Sequence, residues 1–247
     1  MICLALGSAW LAGCSATELP APEVPRAETA APADYRRLLK QYATPHGVRY
    51  AAWHQNQEDL AALDQVVEFY AASQPPSDSD AALAWYLNAY NAWILHNILE
   101  KYPTKGPLAG SPLFFHGKNL ELSGRRMSFD HLEQTIIRKK FDEPRIHFAL
   151  NCASESCPPL LTRPFAGPTL AEDLQRLTVR FINHNPQGVV PRGNTIKLSK
   201  IFDWYAEDFG GRDGLLDYIN QYQEQPIDPD KKVEFLDYSW DLNEAEA

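Results

Sequence analysis

At 247 residues, with 45% apolar and 22% charged side chains, the chain is large enough to bury a core and lacks the composition of a disordered polymer. Its formal net charge of −9, with no basic stripe interleaved with aromatics, excludes a phosphate-backbone partner, so no nucleic acid is expected.

Residues 1–13, MICLALGSAWLAG, carry no charge and run directly into Cys14. So short an apolar run reads as the core of a signal peptide rather than a membrane span, which needs about 20 residues. Leu11-Ala12-Gly13-Cys14 resembles a bacterial lipobox, although the usual basic residue ahead of the apolar run is absent. That resemblance implies cleavage before Cys14, lipidation of its thiol and amine, and, with Ser15 next in line, sorting to the outer membrane. The expectation is a periplasmic, lipid-anchored protein whose membrane partner is reached through Cys14. Residues 14–33, rich in Pro and Ala, read as the lipidated tether, and residues 34–247 as one globular domain.

Within that domain Asp34 is expected to cap a helix from Tyr35 to Tyr42, with a short strand at Val48-Arg49-Tyr50. Leu60, Leu63, Val66, Val67 and Tyr70 recur at helical spacing across residues 57–72. Asp80 to Tyr102 is apolar nearly all round, which predicts a buried central helix. Asn88 and Asn91 interrupt it on one face; buried amides must be hydrogen-bonded, so they either tie down a neighbouring loop or line a pocket. A Gly- and Pro-rich loop covers residues 103–118, and Leu120–Leu122 with Arg126-Met127 forms a hairpin across Ser123-Gly124-Arg125.

Ser128 opens a predicted helix to Lys140, with Leu132, Ile136 and Ile137 inward and Glu133 beside them. Ile146 to Leu150 reads as a short apolar strand running into a turn that holds Cys152 and Cys157. Thr169 caps a helix to about His184, Val189-Val190 and Thr195–Leu198 are strands around Gly193-Asn194, and helices follow at Ser199–Phe209 and Asp213–Tyr222. Val233 to Tyr238 alternates as a last strand, while Asp203, Glu207 and Asp208 read as a solvated acidic face. These elements imply an α+β fold: a single domain with a buried central helix and several short, mainly antiparallel strands.

The cysteine turn is where chemistry concentrates. A thiol nucleophile needs a base and donors for a developing oxyanion; the small, polar turn after Cys152 can aim backbone N–H groups, and His147 is the nearest base. On a strand, the five residues between them span about 16 Å, too far for a direct bond unless the turn folds back. Glu133 could orient His147 or pair with Arg138 or Arg145. The alternative is a Cys152–Cys157 disulfide, natural to an oxidising compartment, closing a loop so short that it contributes only about 2 kcal/mol. A metal site is not expected, since C-x4-C with no second pair is a poor zinc set, and no cofactor motif is present.

Leu87-Asn88-Ala89-Tyr90-Asn91-Ala92, Glu133 with Arg138, the run His147 to Pro158, and Lys197 to Phe209 together resemble the DUF547 family, a domain of unknown function found in exported bacterial proteins. The resemblance covers about residues 80–210. The histidine-strand, cysteine-turn layout is also similar in outline to papain-like and transglutaminase-like thiol enzymes, but their usual order is Cys on a helix and then His on a strand, and here the helix before the histidine carries Asn88 and Asn91 instead of Cys. Two functions follow as expectations. One is a cysteine-dependent hydrolase or acyltransferase, with Cys152 as nucleophile, His147 as base, Glu133 or Asn91 as orienter and Asn88 beside them. The other is a non-catalytic binding or scaffold lipoprotein with a structural disulfide. Either would take an unidentified small-molecule or peptide ligand.

Overall fold

The computed structural model describes residues 31–245. The expected signal peptide, Cys14 and nearly all of the expected tether lie outside them. Helix α1 (Ala33–Tyr42) buries Tyr35, Leu38, Leu39 and Tyr42 along one stripe. Pro32 rather than Asp34 stands at its N-cap and Asp34 falls inside the first turn, since the fixed φ of proline already suits a helix start. A minimal ladder of β1 (Ala43–Thr44) with β2 (Gly47–Val48) turns the chain into α2 (Tyr50–His54). Tyr50, expected in a strand, is helical because its fully buried ring must bring its hydroxyl to Asn243, a partner 193 residues away. Helix α3 (Gln57–Ala72) lies where its periodicity puts it, capped by Asn56.

Helix α4 (Ser79–Leu99) is the centre of the fold. Asp78 caps it by accepting from Ala81 N at 2.9 Å, and residues on all its faces are buried, from Ala82 and Trp85 to Ile98 and Leu99. It packs against α3 on one side. Against its other sides lie the π-helical segment His131–Ile137 and the 3-10 turn Gly167–Thr169, which leads into α6 (Leu170–His184). Among the described residues no helix is long and apolar enough to cross a membrane.

The hairpin forms as expected from β3 (Leu120–Leu122) and β4 (Arg125–Met127). Ser128 Oγ then accepts from His131 N at 3.0 Å. The helix that follows is wider than predicted: His131–Ile137 is π-helical, closing in the short α5 (Arg138–Lys140). The fully buried Leu132 and Ile137 are five apart, which suits i→i+5 bonding.

The predicted strand at Ile146–Leu150 is not a strand. Pro144–Phe148 is a 3-10 turn, started by Pro144 and by Glu143, whose carboxylate accepts from Arg145 N. A five-residue apolar run shows no period that separates strand from short helix, and burial alone satisfies both. The rise per residue falls from about 3.3 Å to about 2.0 Å, so the extended span between His147 and Cys152 does not exist.

Beyond α6, β5 (Val189–Arg192) pairs antiparallel with β6 (Thr195–Leu198). The predicted Ser199–Phe209 helix divides into α7 (Lys200–Trp204) and a 3-10 turn (Ala206–Phe209) that Gly210 ends at φ 89°. Helix α8 (Gly211–Asn220) returns the chain to β7 (Lys232–Phe235), which pairs parallel to β6. Helices with three small separate sheets make the chain α+β.

Residues 236–245 then run as a strap across the molecule. Asn243 O accepts from Val48 N, Ala153 O from Asn243 N, Lys105 O from Leu242 N and Asp241 O from Glu155 N, all within 3.1 Å. The close crossing requires glycine at two places: a Cβ on Gly47 (φ 131°) or on Gly106 (φ 155°) would fall 2.1 Å from the carbonyl oxygen of Asn243 or Trp240. Gly106→Ala is therefore expected to lower the unfolding free energy by about 1–3 kcal/mol. Gly110→Ala, with open space around it, should stay within about 0.5 kcal/mol of the parent. Denaturant unfolding of both variants checks this; equal stabilities would mean the strap does not rest on Gly106.

Candidate functional site

The site begins with two buried amides on α4. Asn91 Nδ2 donates to Ala149 O at 3.0 Å and its Oδ1 accepts from Asn151 N at 2.9 Å. Asn88 treats Phe165 in the same way, at 2.9 and 2.8 Å. Each amide thus satisfies a buried backbone N–H and C=O that no strand or helix partner serves. Neither faces the cleft described below.

Asn151 carries the order outward. Its Oδ1 accepts from Ala153 N and from Asn243 Nδ2, and its Nδ2 donates to Pro158 O. These bonds hold Ala153 at φ 64°, a left-handed conformation that costs a non-glycine residue about 1–2 kcal/mol. In the turn so formed Cys152 and Cys157 are joined as a disulfide, and Cys152 N donates to Cys157 Sγ. Tyr238, from the strap, sets its hydroxyl 3.2 Å from Cys152 Sγ, 3.3 Å from Cys157 Sγ and 2.7 Å from Ser154 Oγ. Burial, against the Ser154 hydrogen bond and aided by the charge of Glu133, pushes the Tyr238 phenol up to about 12.

The disulfide forms part of the wall of a cavity of about 510 Å³ that His147, Glu133, Tyr205, Trp204 and Trp240 also line. His147 is buried and its Nε2 lies 2.7 Å from Asp208 Oδ2. Arg138 donates to the same carboxylate from Nε at 2.7 Å and from Nη2 at 2.6 Å. Burial works to raise the Asp208 carboxyl, but the hydrogen bonds and charges of His147 and Arg138 outweigh it and hold the group well below the usual carboxylate range. Tyr205 stacks on the imidazole at 3.9 Å and donates to Glu133 Oε1 at 2.5 Å. The buried Tyr90 hydroxyl reaches Glu133 Oε2 at 3.5 Å.

Of the residues singled out in the sequence, Cys152, Cys157, His147 and Glu133 meet at one cavity, while Asn88 and Asn91 support it from behind. The partner of His147 is Asp208, not Glu133, and Arg138 pairs with Asp208 while Arg145 pairs with Glu143. The expected solvated face is thus only partly solvated. Glu207 is exposed, Asp203 pairs with Lys200 and Arg212, and Asp208 turns inward because the 3-10 turn rotates it away from its neighbours. Tyr205 and Asp208 sit inside a stretch that the family resemblance covers. Tyr238 and Trp240 lie beyond it, in a segment that reads only as an alternating strand and its tail.

Chemically, His147 is engaged through Nε2, which faces the same Asp208 oxygen that Arg138 Nε contacts. The sulfurs, being bonded to each other, offer no thiolate. No group of three or more His, Cys, Asp or Glu among the described residues is arranged to hold a metal ion.

Residues 76–182 match the family model described as "Protein of unknown function, DUF547". The chain carries a DUF547 domain. No curated protein and no solved structure matches the chain. The matched segment of the DUF547 domain supplies α4, the π-helical segment and the cysteine turn. Tyr205, Asp208, Tyr238 and Trp240 come from residues after it.

Asp208→Asn should lower stability at neutral pH by about 1–3 kcal/mol, the range for hydrogen bonds to charged groups. Because the folded carboxyl titrates below its unfolded value of about 3.9, its contribution is present above that pH and is lost as pH falls through the folded value. The gap between parent and variant in urea unfolding should therefore begin to narrow below about pH 4 and be clearly smaller, though not gone, at about pH 2. A gap that is unchanged down to that pH would show that the carboxylate charge is not the source.

Proposed function

We propose that this chain is an exported lipoprotein, held at the outer membrane through lipid on Cys14, whose DUF547 domain binds a small-molecule or peptide ligand in the aromatic cleft. The observation that carries the binding role is the bonding of Cys152 to Cys157 in the wall of that cleft. With the sulfur engaged, the cleft retains what recognition needs: about 510 Å³ of space, several aromatic faces and a few convergent polar groups. The disulfide pins the turn and thereby the Tyr238 hydroxyl. The lipid anchor rests on the sequence around Cys14 and agrees with a disulfide in the domain, since the periplasm oxidises thiols.

One arrangement favours a second reading, a cysteine-dependent hydrolase or acyltransferase active only when reduced. Cys152 and His147 line the same cavity, and Asp208 stands behind the imidazole as an orienting carboxylate would. Reduction would free Cys152 as the nucleophile with His147 as its base.

Alkylation of the exported mature protein separates the two. On the binding reading neither Cys152 nor Cys157 takes up iodoacetamide until a reductant is added, and mass spectrometry of the peptide that spans them reads this directly. Labelling of Cys152 at pH 6 without reductant would mark a low-pKa thiolate and replace the binding reading with the enzymatic one. For the anchor, Cys14→Ala should move the protein from the outer-membrane fraction and abolish its labelling by a radioactive fatty acid. Retained labelling would refute the lipobox.

A further inference from the structure

The cleft has a charge asymmetry that its shape alone does not require. Of the acids that line it, Glu133 takes hydrogen bonds only from neutral donors, the Tyr205 and Tyr90 hydroxyls and the Gln134 amide, and forms no ion pair among the described residues. Asp130 stands at the mouth, half exposed, 3.9 Å from His116. No Lys or Arg is among the described residues that line the cavity. Arg138, the nearest guanidinium, is held by both oxygens of Asp208, whose charge it shares with His147. The negative charge of Glu133 is felt through the site: together with burial, the larger cause in each case, it raises the phenols of Tyr90, Tyr205 and Tyr238.

The aromatic wall points the same way. Trp204 is 46% exposed, unusual for so large an apolar side chain. Its ring lies 4.7 Å from Tyr238, which lies 4.8 Å from Trp240, which in turn lies 5.9 Å from Phe115. Each face of such a ring carries the negative end of its quadrupole, and tryptophan offers the best surface for a cation. A phosphate or carboxylate would meet these faces and two carboxylates, with no Lys or Arg in the lining and only the imidazoles of His116 and His147, each already beside a carboxylate, to offset them. An alkylammonium group would meet attraction from both, at a part-buried carboxylate that forms no ion pair among the described residues.

We infer that the cleft selects an organic cation, an alkylammonium group seated between Glu133 and the Trp204–Tyr238–Trp240 wall. This rests on the binding reading and gives it a ligand class. The overall charge of −9 adds a long-range field of the same sign.

The test is calorimetric titration of the oxidised protein at matched ionic strength with choline, with its neutral isostere 3,3-dimethylbutan-1-ol, with acetate and with a neutral disaccharide. Choline should bind at least about tenfold more tightly than the alcohol, and acetate not measurably. Glu133→Gln, which keeps an acceptor for Tyr205, should weaken choline about tenfold while leaving the alcohol unchanged. Trp204→Ala, at a half-exposed position, should weaken choline while the protein still folds, as a cooperative unfolding transition would show. An alcohol that binds as well as choline overturns the cation inference and leaves the binding reading intact. So does choline failing while the disaccharide binds. Failure of all four ligands removes both. Choline affinity unaffected by either variant would place the cation elsewhere and refute the assignment.

Discussion

The Asn91 amide, buried in the middle of an apolar helix, is the interaction on which the rest of the site depends. Its oxygen and nitrogen take up one N–H and one C=O from the segment that carries His147 and Cys152. A buried donor or acceptor left alone costs about 1–3 kcal/mol, so that segment is fixed against α4 from both sides of the bond pair. Asn151, placed by that grip, then organises the turn through two further bonds and meets Asn243 of the C-terminal strap through a third. Asn243 is in turn bonded to Tyr50. A line of side-chain amides therefore runs from the central helix through the cysteine turn to the strap and on to α2. Each amide serves backbone or side-chain groups that regular secondary structure leaves unpaired.

The polar layer of the cleft depends on the width of one helix. Glu133 and Arg138 are five residues apart, which on an α-helix would turn them about 140° from each other. In the π-helical segment Arg138 N instead bonds to Glu133 O, and both side chains reach the same site. Glu133 then meets Tyr205 while Arg138 meets Asp208, and these two partners lie three residues apart on another element. The imidazole of His147 fits between them, stacked on Tyr205 and bonded to Asp208. π-helical insertions recur at functional sites because they bring together side chains that an α-helix separates.

Several of these features were legible in the amino-acid sequence. The apolar, all-round pattern of Asp80 to Tyr102 identified α4 as buried, and the hydrogen-bonding demand of Asn88 and Asn91 pointed to either a loop tied down beside it or a pocket, of which the bonds to Phe165, Ala149 and Asn151 show the first. The hairpins and α3 followed from period and turn chemistry. Residues 146–150 did not, because a buried five-residue apolar run has the same appearance in a strand and in a 3-10 turn. Asp208 did not, because its one-letter neighbourhood, Glu207 and Asp203 included, looks solvated. Only the tertiary approach of Arg138 and His147 makes its burial favourable. Tyr238 and Trp240 were invisible as site residues, since the strap owes its path to partners far away in sequence, the close approaches at Gly47 and Gly106 and the side-chain bonds of Asn243 to Tyr50 and Asn151.

The set of residues that builds the site is consequently larger than the segment that matches the family model. Residues 76–182 hold His147, Glu133 and both cysteines, but not what makes them a site. Cut at that boundary, His147 would lose the Asp208 carboxylate and the Tyr205 ring, Arg138 would be left without its bidentate partner, and Asn151 and Ala153 would lose Asn243. The disulfide would remain, yet Tyr238 would no longer cover it. A motif shared over the matched segment therefore fixes where the turn and the histidine go. The shape and charge of the cleft are set by the residues that close over them, the aromatic wall and the strap.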